Sequence, residues 1–219
     1  MRFLLVCLSM LLAACGAEPP AEPLPVETDQ VRLVYVHEVA DYEQWRPRFD
    51  EGVSARLDAG VENELVMVGE QNPNLVFTIF TMRDSTSAVA YMNDPNTARA
   101  MEYSGVQGEL LTALLDFGTV YPEASDVIYP VRLLVRHPVD NYDRWWATFS
   151  GHEQERDEAG VHTLLVSRRL ENPNDVFMIF GVSDPEAVTD YMSSDILRVA
   201  MRLAGVTAEP QAYFVNVAD

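Results

Sequence analysis

The chain has 219 residues, 48% of them apolar and 22% charged, the composition of a folded globular protein rather than a disordered one. Its formal charge of −19 comes from 34 acidic against 15 basic residues, every basic one an arginine; such a surface repels phosphate backbones, so no nucleic-acid partner is expected. The two cysteines, Cys7 and Cys15, both lie near the amino end, so the rest can form neither a disulfide nor a cysteine metal site.

In chain order, Arg2 is followed by an apolar run from Phe3 to Leu12, about ten residues, too short for a membrane-spanning helix and suited to the core of a secretory signal. The run ends in Leu12-Ala13-Ala14-Cys15-Gly16, which resembles the lipobox of bacterial lipoproteins. The resemblance implies cleavage before Cys15 and lipidation of Cys15, hence an anchor of two or three acyl chains. It also implies a cell-envelope address, with Gly16 after the cysteine favouring the periplasmic face of the outer membrane. Residues 15–28 carry four prolines between Pro19 and Pro25 and read as an extended spacer, about 3 Å per residue, holding the folded part roughly 30 Å from the membrane.

The remainder is a duplication. Val31 to Val106 aligns without a gap on Val131 to Val206, each position one hundred higher, so that residues 29–123 and 127–219 read as two copies of one unit. Val31 to His37 alternates as a strand. Asp41 can cap a helix in which Tyr42, Trp45, Phe49, Val53 and Leu57 recur at helical spacing, with Gly60 stopping it. Val61 to Glu70 and Leu75 to Met82 read as strands joined through Asn72-Pro73-Asn74, and Asp84 opens a helical stretch, broken near Pro95, that ends at Gly105. A last strand is predicted around Ala113 to Tyr121. The predicted order is β-α-β-β-α-β, an α+β unit of the ferredoxin-like type.

Both faces of the sheet are apolar, with Val76 and Phe80 on one and Phe77 and Ile79 on the other. The helices cover one face, and the economical cover for the second is the other copy. The strand ending in His37, the Asp41-Tyr42-x-x-Trp45-x-x-x-Phe49 helix, Ala59-Gly60-Val61 and the Asn-Pro-Asn turn, each recurring in the second copy, resemble the dimeric α+β barrel superfamily. The resemblance implies a tandem pair of ferredoxin-like repeats closed into an intramolecular barrel. The superfamily includes cofactor-free antibiotic-biosynthesis monooxygenases, muconolactone isomerases and haem-binding chlorite dismutases, so it implies a fold and leaves the activity open.

Several residues carry candidate chemistry. Arg56 falls on the apolar stripe of the first helix with Trp45 and Phe49, as Arg156 does with Trp145 and Phe149. Each is either an ion pair tying helix to sheet or a docking point for an anion. His37 and His137 end the first strands and could act as a base or bond the helix backbone. The second copy is richer, with His152 in place of Gly52, His162 in place of Glu62, and an extra ring at Trp146. A site is therefore expected in the second copy, with His137, His152, Arg156 and Tyr142 as catalytic candidates and Trp145, Trp146, Arg56, His37 and Trp45 as binding candidates.

No zinc motif, phosphate loop or nucleophile elbow is present, and no metal or cofactor is called for. The expected function is a small-molecule-binding or accessory module for a small apolar or aromatic acid, with an envelope protein as a further partner class. The alternative is a cofactor-free monooxygenase or isomerase acting on a small aromatic or enolisable substrate.

Overall fold

The computed structural model describes residues 28–121 and 129–218; the signal segment, Cys15 and nearly all of the spacer lie outside the described residues. The first half runs β1 (Val31–Val39), α1 (Tyr42–Glu51), α2 (Val53–Asp58), β2 (Val61–Gly69), β3 (Leu75–Met82), α3 (Ser85–Asn93), α4 (Pro95–Ser104), β4 (Val106–Asp116) and the two-residue β5 (Thr119–Val120). The second runs β6 (Val131–Pro138), α5 (Tyr142–Gly151), α6 (Glu153–Glu158), β7 (Val161–Arg168), β8 (Asp175–Val182), α7 (Pro185–Met192), α8 (Asp195–Ala204) and β9 (Gln211–Val217). Among the described residues no helix is long and apolar enough to cross a membrane.

The helix starts follow from local chemistry. Asp41 accepts from the Glu43 amide and Asn141 from the Arg144 amide, each satisfying a donor that the first turn leaves open. The Asn-Pro-Asn turns reach the same place from across the fold, since Asn74 Oδ1 accepts from Tyr42 N at 3.0 Å and Asn174 Oδ1 from Tyr142 N at 3.1 Å. Gly60 and Gly160 close the helical segment at φ +96° and +80°, a region that disfavours other residues.

Two expectations shift. The first helix is not continuous to Leu57 but breaks at Gly52, and its counterpart breaks at His152. Glycine is therefore not the cause. The Phe49 carbonyl accepts from Gly52 N and from the Arg56 side chain, and the Phe149 carbonyl from His152 N and Arg156, so the arginine captures the carbonyl at which the helix tightens. The last strand of the first half begins at Val106 rather than near Ala113, because pairing with β1, through irregularities at His37 and Val39, carries the polar Gln107 and Gly108 into the ladder.

All nine strands form one antiparallel sheet in the order β4-β1-β3-β2-β9-β6-β8-β7-β5. Because β5 continues from β4 beyond Gly118 and pairs with β7, the two ends of that order meet. One face of the sheet buries Val34, Val36, Phe77 and Ile79 of the first half against Leu165, Ile179 and Val215 of the second, with Phe77 and Tyr213 in ring contact at 5.2 Å. The other face takes the helices, on Leu33 and Phe80 in the first half and Leu133 and Phe180 in the second. Full burial of each such side chain contributes about 1.5–3 kcal/mol, so both faces are structural. The result is a mixed α+β fold with a large antiparallel sheet and eight helices among the described residues.

Candidate functional site

In both halves the first helix presents the same aromatic ladder to the sheet. Trp45 lies 5.7 Å from Tyr42 and 4.7 Å from Phe49, and Trp145 lies 5.5 Å from Tyr142 and 4.7 Å from Phe149, measured between ring centres. Arg56 and Arg156 close the ladders, each with Cζ 3.7 Å from the centre of the Phe49 or Phe149 ring. Both arginines are buried, at 6% and 7% exposure, where a guanidinium needs a partner.

Arg56 has one. Its Nε donates to Glu64 Oε2 at 2.7 Å and its Nη2 to Oε1 at 3.0 Å, a bidentate pair, while Nη1 donates to Phe49 O at 2.6 Å. Arg156 keeps the corresponding bond from Nη1 to Phe149 O, but its Nε has no hydrogen-bond partner among the described residues. The sheet register explains the loss. β2 carries its irregularity between Val61 and Asn63, which sets Glu64 opposite Phe80, whereas β7 carries it between Thr163 and Leu165, which sets Thr163 opposite Phe180. The place of the carboxylate is thus taken by a threonine. Burial lowers the affinity of Arg156 for its proton, opposed by Tyr191 and by three further groups, Glu153, Tyr121 and Asp157.

A cavity of about 340 Å³ opens beside Arg156, between the sheet and α5, α6, α7 and α8. His137, Trp145, His152 and Arg156 all line it, with Leu133, Val135, Phe149 and Phe180 among its apolar walls. At the position of Val135 the first half carries Tyr35, buried and edge-on to Phe80 at 6.2 Å, so a ring stands where the second half has open space. The volume lies toward the lower end of small-molecule sites, ~300–1,000 Å³, and holds a one- or two-ring compound. Among the described residues no group of three or more His, Cys, Asp or Glu could hold a metal ion.

His137 is 6% exposed, 5.9 Å from Trp145 in an edge-on contact, and neither ring nitrogen has a hydrogen-bond partner among the described residues. Burial lowers its pKa from 6.5 to about 4, with Asp175 opposing, so the imidazole is neutral at pH 7, with both nitrogens enclosed at the cavity wall. Asp175 is itself buried between Arg136 at 2.8 Å and Arg169 at 2.9 Å, which limits its pull on the histidine. His152, at the junction of α5 and α6, contacts Thr148 O through Nδ1 at 2.8 Å; that nitrogen is the donor, so Nε2 carries the lone pair.

Other candidates lie elsewhere. Tyr142 does not line this cavity; it is stacked with Trp146 and tilted against Trp145, lies under Arg168 at 4.2 Å, and borders a separate polar hollow near Ser167. Trp146 packs on Trp145, Tyr142 and Phe149 without reaching the cavity. His162 stacks on Tyr129 and contacts Asp157 at 3.1 Å. In the first half His37 packs against Trp45 at 6.0 Å within the core. The cavity adds Tyr191, Glu209 and Met192, which the sequence reading did not single out as site residues. Tyr191 had a signal in its match to Tyr91, but a residue repeated in both halves reads first as core. Burial raises the pKa of its phenol while Arg156 lowers it, a sign that the two groups are near enough to interact.

The two arginines predict unequal responses. Arg56→Met breaks an ion pair and should cost about 1–3 kcal/mol in urea unfolding, whereas Arg156→Met breaks no ion pair among the described residues, only a hydrogen bond to Phe149 O, and should cost clearly less, about 0.5–1 kcal/mol. Losses of equal size in both variants would refute the difference in pairing.

No protein-family model matches the chain, and no curated protein matches it in sequence. Solved structures do match. The chain is 12% identical to a candidate monooxygenase from Fusobacterium nucleatum subsp. nucleatum, with a TM-score of 0.57 over 89% of this chain and 94% of that one. It is 12% identical to an anthrone oxidase-like protein, with a TM-score of 0.59 over 88% and 93%, and 12% identical to a candidate chlorite dismutase, with a TM-score of 0.54 over 87% and 94%. At such identities the likeness is one of architecture: this chain shares with these structures a mixed α+β fold built on a large antiparallel sheet.

Proposed function

We propose that the protein is a small-molecule enzyme of the cofactor-free monooxygenase or isomerase type, working in the second-half cavity on a small aromatic or enolisable substrate. The observation that carries this reading is the meeting, on one mostly apolar cavity, of a neutral histidine, His137, and a buried guanidinium, Arg156, neither of them in an ion pair among the described residues. His137 takes a proton from the substrate, and Arg156 stabilises the anion that forms. That anion is then either reprotonated at another carbon or gives its electrons to dioxygen. A base whose conjugate acid is as strong as that of His137 needs a substrate proton that is already acidic, which points to phenols, quinols and 1,3-dicarbonyl compounds. His152, half-buried, passes the proton towards solvent through Nε2.

In the same reading the two halves are tandem ferredoxin-like units, each four-stranded, closed into an intramolecular barrel through β2–β9 and β5–β7. Lipidation of Cys15 and the proline-rich spacer hold this barrel at the envelope membrane. The anchor is checked by mass spectrometry of the membrane fraction, where Cys15→Ser should abolish the acyl mass and release the protein.

The enzyme reading is tested on quinol and lactone panels, following dioxygen uptake and product absorbance. His137→Ala should lower kcat/KM by about 10²–10⁴-fold. Equal rates in the variant would remove the base, and saturable binding with no turnover would make the protein a binding module instead.

A further inference from the structure

We infer that the Nε–Nη2 edge of Arg156 is a seat for the carboxylate of an apolar acid, and that the first half already displays how that acid binds. The inference rests on the second-half cavity being the site and names the class of compound it takes. Arg56 and Arg156 share two of their contacts, the Nη1 bond to the preceding phenylalanine carbonyl and the 3.7 Å approach to that residue's ring, so the two guanidinium planes are held alike. They differ in the third. In the first half the remaining edge grips a carboxylate in two parallel bonds, from Nε at 2.7 Å and from Nη2 at 3.0 Å, and that carboxylate belongs to Glu64. In the second half the same Nε is buried beside the cavity with no partner among the described residues.

The chemistry of the missing partner follows from this edge. Two parallel donors in a plane match the two coplanar oxygens of a carboxylate, and one negative charge neutralises one guanidinium. A phosphonate or sulfate would bring further charged oxygens into a cavity walled largely by apolar side chains such as Leu133, Val135 and Phe180, where their desolvation is costly. The rest of the ligand should then be mostly apolar, because most of the wall residues are. Three differences between the halves act together: Thr163 in the place of Glu64 frees the arginine, Val135 in the place of Tyr35 makes room, and His152 in the place of Gly52 brings an imidazole to the wall.

The test uses the protein spanning residues 16–219 and three probes, benzoate, methyl benzoate and phenylphosphonate, in calorimetry and thermal melting. Benzoate should bind and raise the melting temperature, and the ester and the phosphonate should bind at least about tenfold more weakly. Arg156→Lys, which keeps the charge but not the planar fork, should weaken benzoate by about tenfold or more. Thr163→Glu should abolish binding by supplying an internal carboxylate, with Thr163→Gln as the uncharged companion that retains it. Equal affinity for acid and ester or for acid and phosphonate, benzoate affinity unchanged by Arg156→Lys, or no binding of benzoate, phenylacetate or cyclohexanecarboxylate at millimolar concentration would each overturn the proposal. Carboxylate binding without turnover of any panel compound would remove the enzyme reading alone, and turnover of neutral compounds without carboxylate binding would remove this one alone.

Discussion

Lowering the pH from 7.5 to 4 is expected to remove about 6 kcal/mol of folding stability through two histidines, His37 and His137. Both are buried on the helix-facing side of the sheet, at 4% and 6% exposure, and burial lowers the pKa of each from 6.5 to about 4. At pH 7.5 both are neutral whether the chain is folded or not, so the full stability is present. Below that the unfolded chain takes up protons that the folded one refuses, and stability falls until about pH 4, where the folded protein is protonated too. Each histidine contributes about 3 kcal/mol to this loss. Urea titrations at several pH values on wild type and on His37→Leu/His137→Leu measure the difference. The double variant should lose much less across this window, and parallel curves would contradict the burial of neutral imidazoles.

Trp45→Ala should cost about 3–5 kcal/mol, among the largest losses for a single substitution in the molecule. The ring is 1% exposed and stacks between Tyr42 and Phe49, with His37 closing a further side at 6.0 Å, so truncation leaves a void that this packed wall cannot collapse to fill. Trp145 is 2% exposed in a similar ladder, yet it borders the cavity and has fewer neighbours to lose on that side. Its truncation should cost less, by about 1 kcal/mol, because the cost scales with new cavity surface and contacts forfeited. Guanidinium unfolding of the two variants provides the comparison. A Trp145→Ala loss equal to that of Trp45→Ala would argue against open space beside Trp145.

Features with a local cause were legible beforehand. The alternation from Val31 to His37, the helical recurrence of Tyr42, Trp45 and Phe49, the capping by Asp41 and Asp84 and the stop at Gly60 all depend on residues within a few positions of one another, and the structure has them. The helix break at Gly52 was not legible, because it depends on where the end of the Arg56 side chain lands. Among the site candidates, His137, Trp145, His152 and Arg156 meet on one cavity, whereas Tyr142 and Trp146 point to other surroundings despite lying in the same helix. Helical spacing places a residue on a face, but it does not say which part of that face meets an opening.

The two fates left open for the stripe arginine are divided between the halves. Arg56 is the ion pair, and Arg156 is buried without one among the described residues. A gapless alignment pairs Glu64 with Leu164, yet the sheet places Thr163 in its register position, because the irregularity sits between Val61 and Asn63 in β2 and between Thr163 and Leu165 in β7. The sequence by itself determined the recurrence of motifs one hundred positions apart, the strand and helix periodicity and the place of the arginines on the apolar stripe, since periodicity is a property of neighbouring residues. Only the tertiary structure decided which half has an open cavity and an unpaired guanidinium, since a slip of one position in a strand changes which side chain meets a residue far away in the chain.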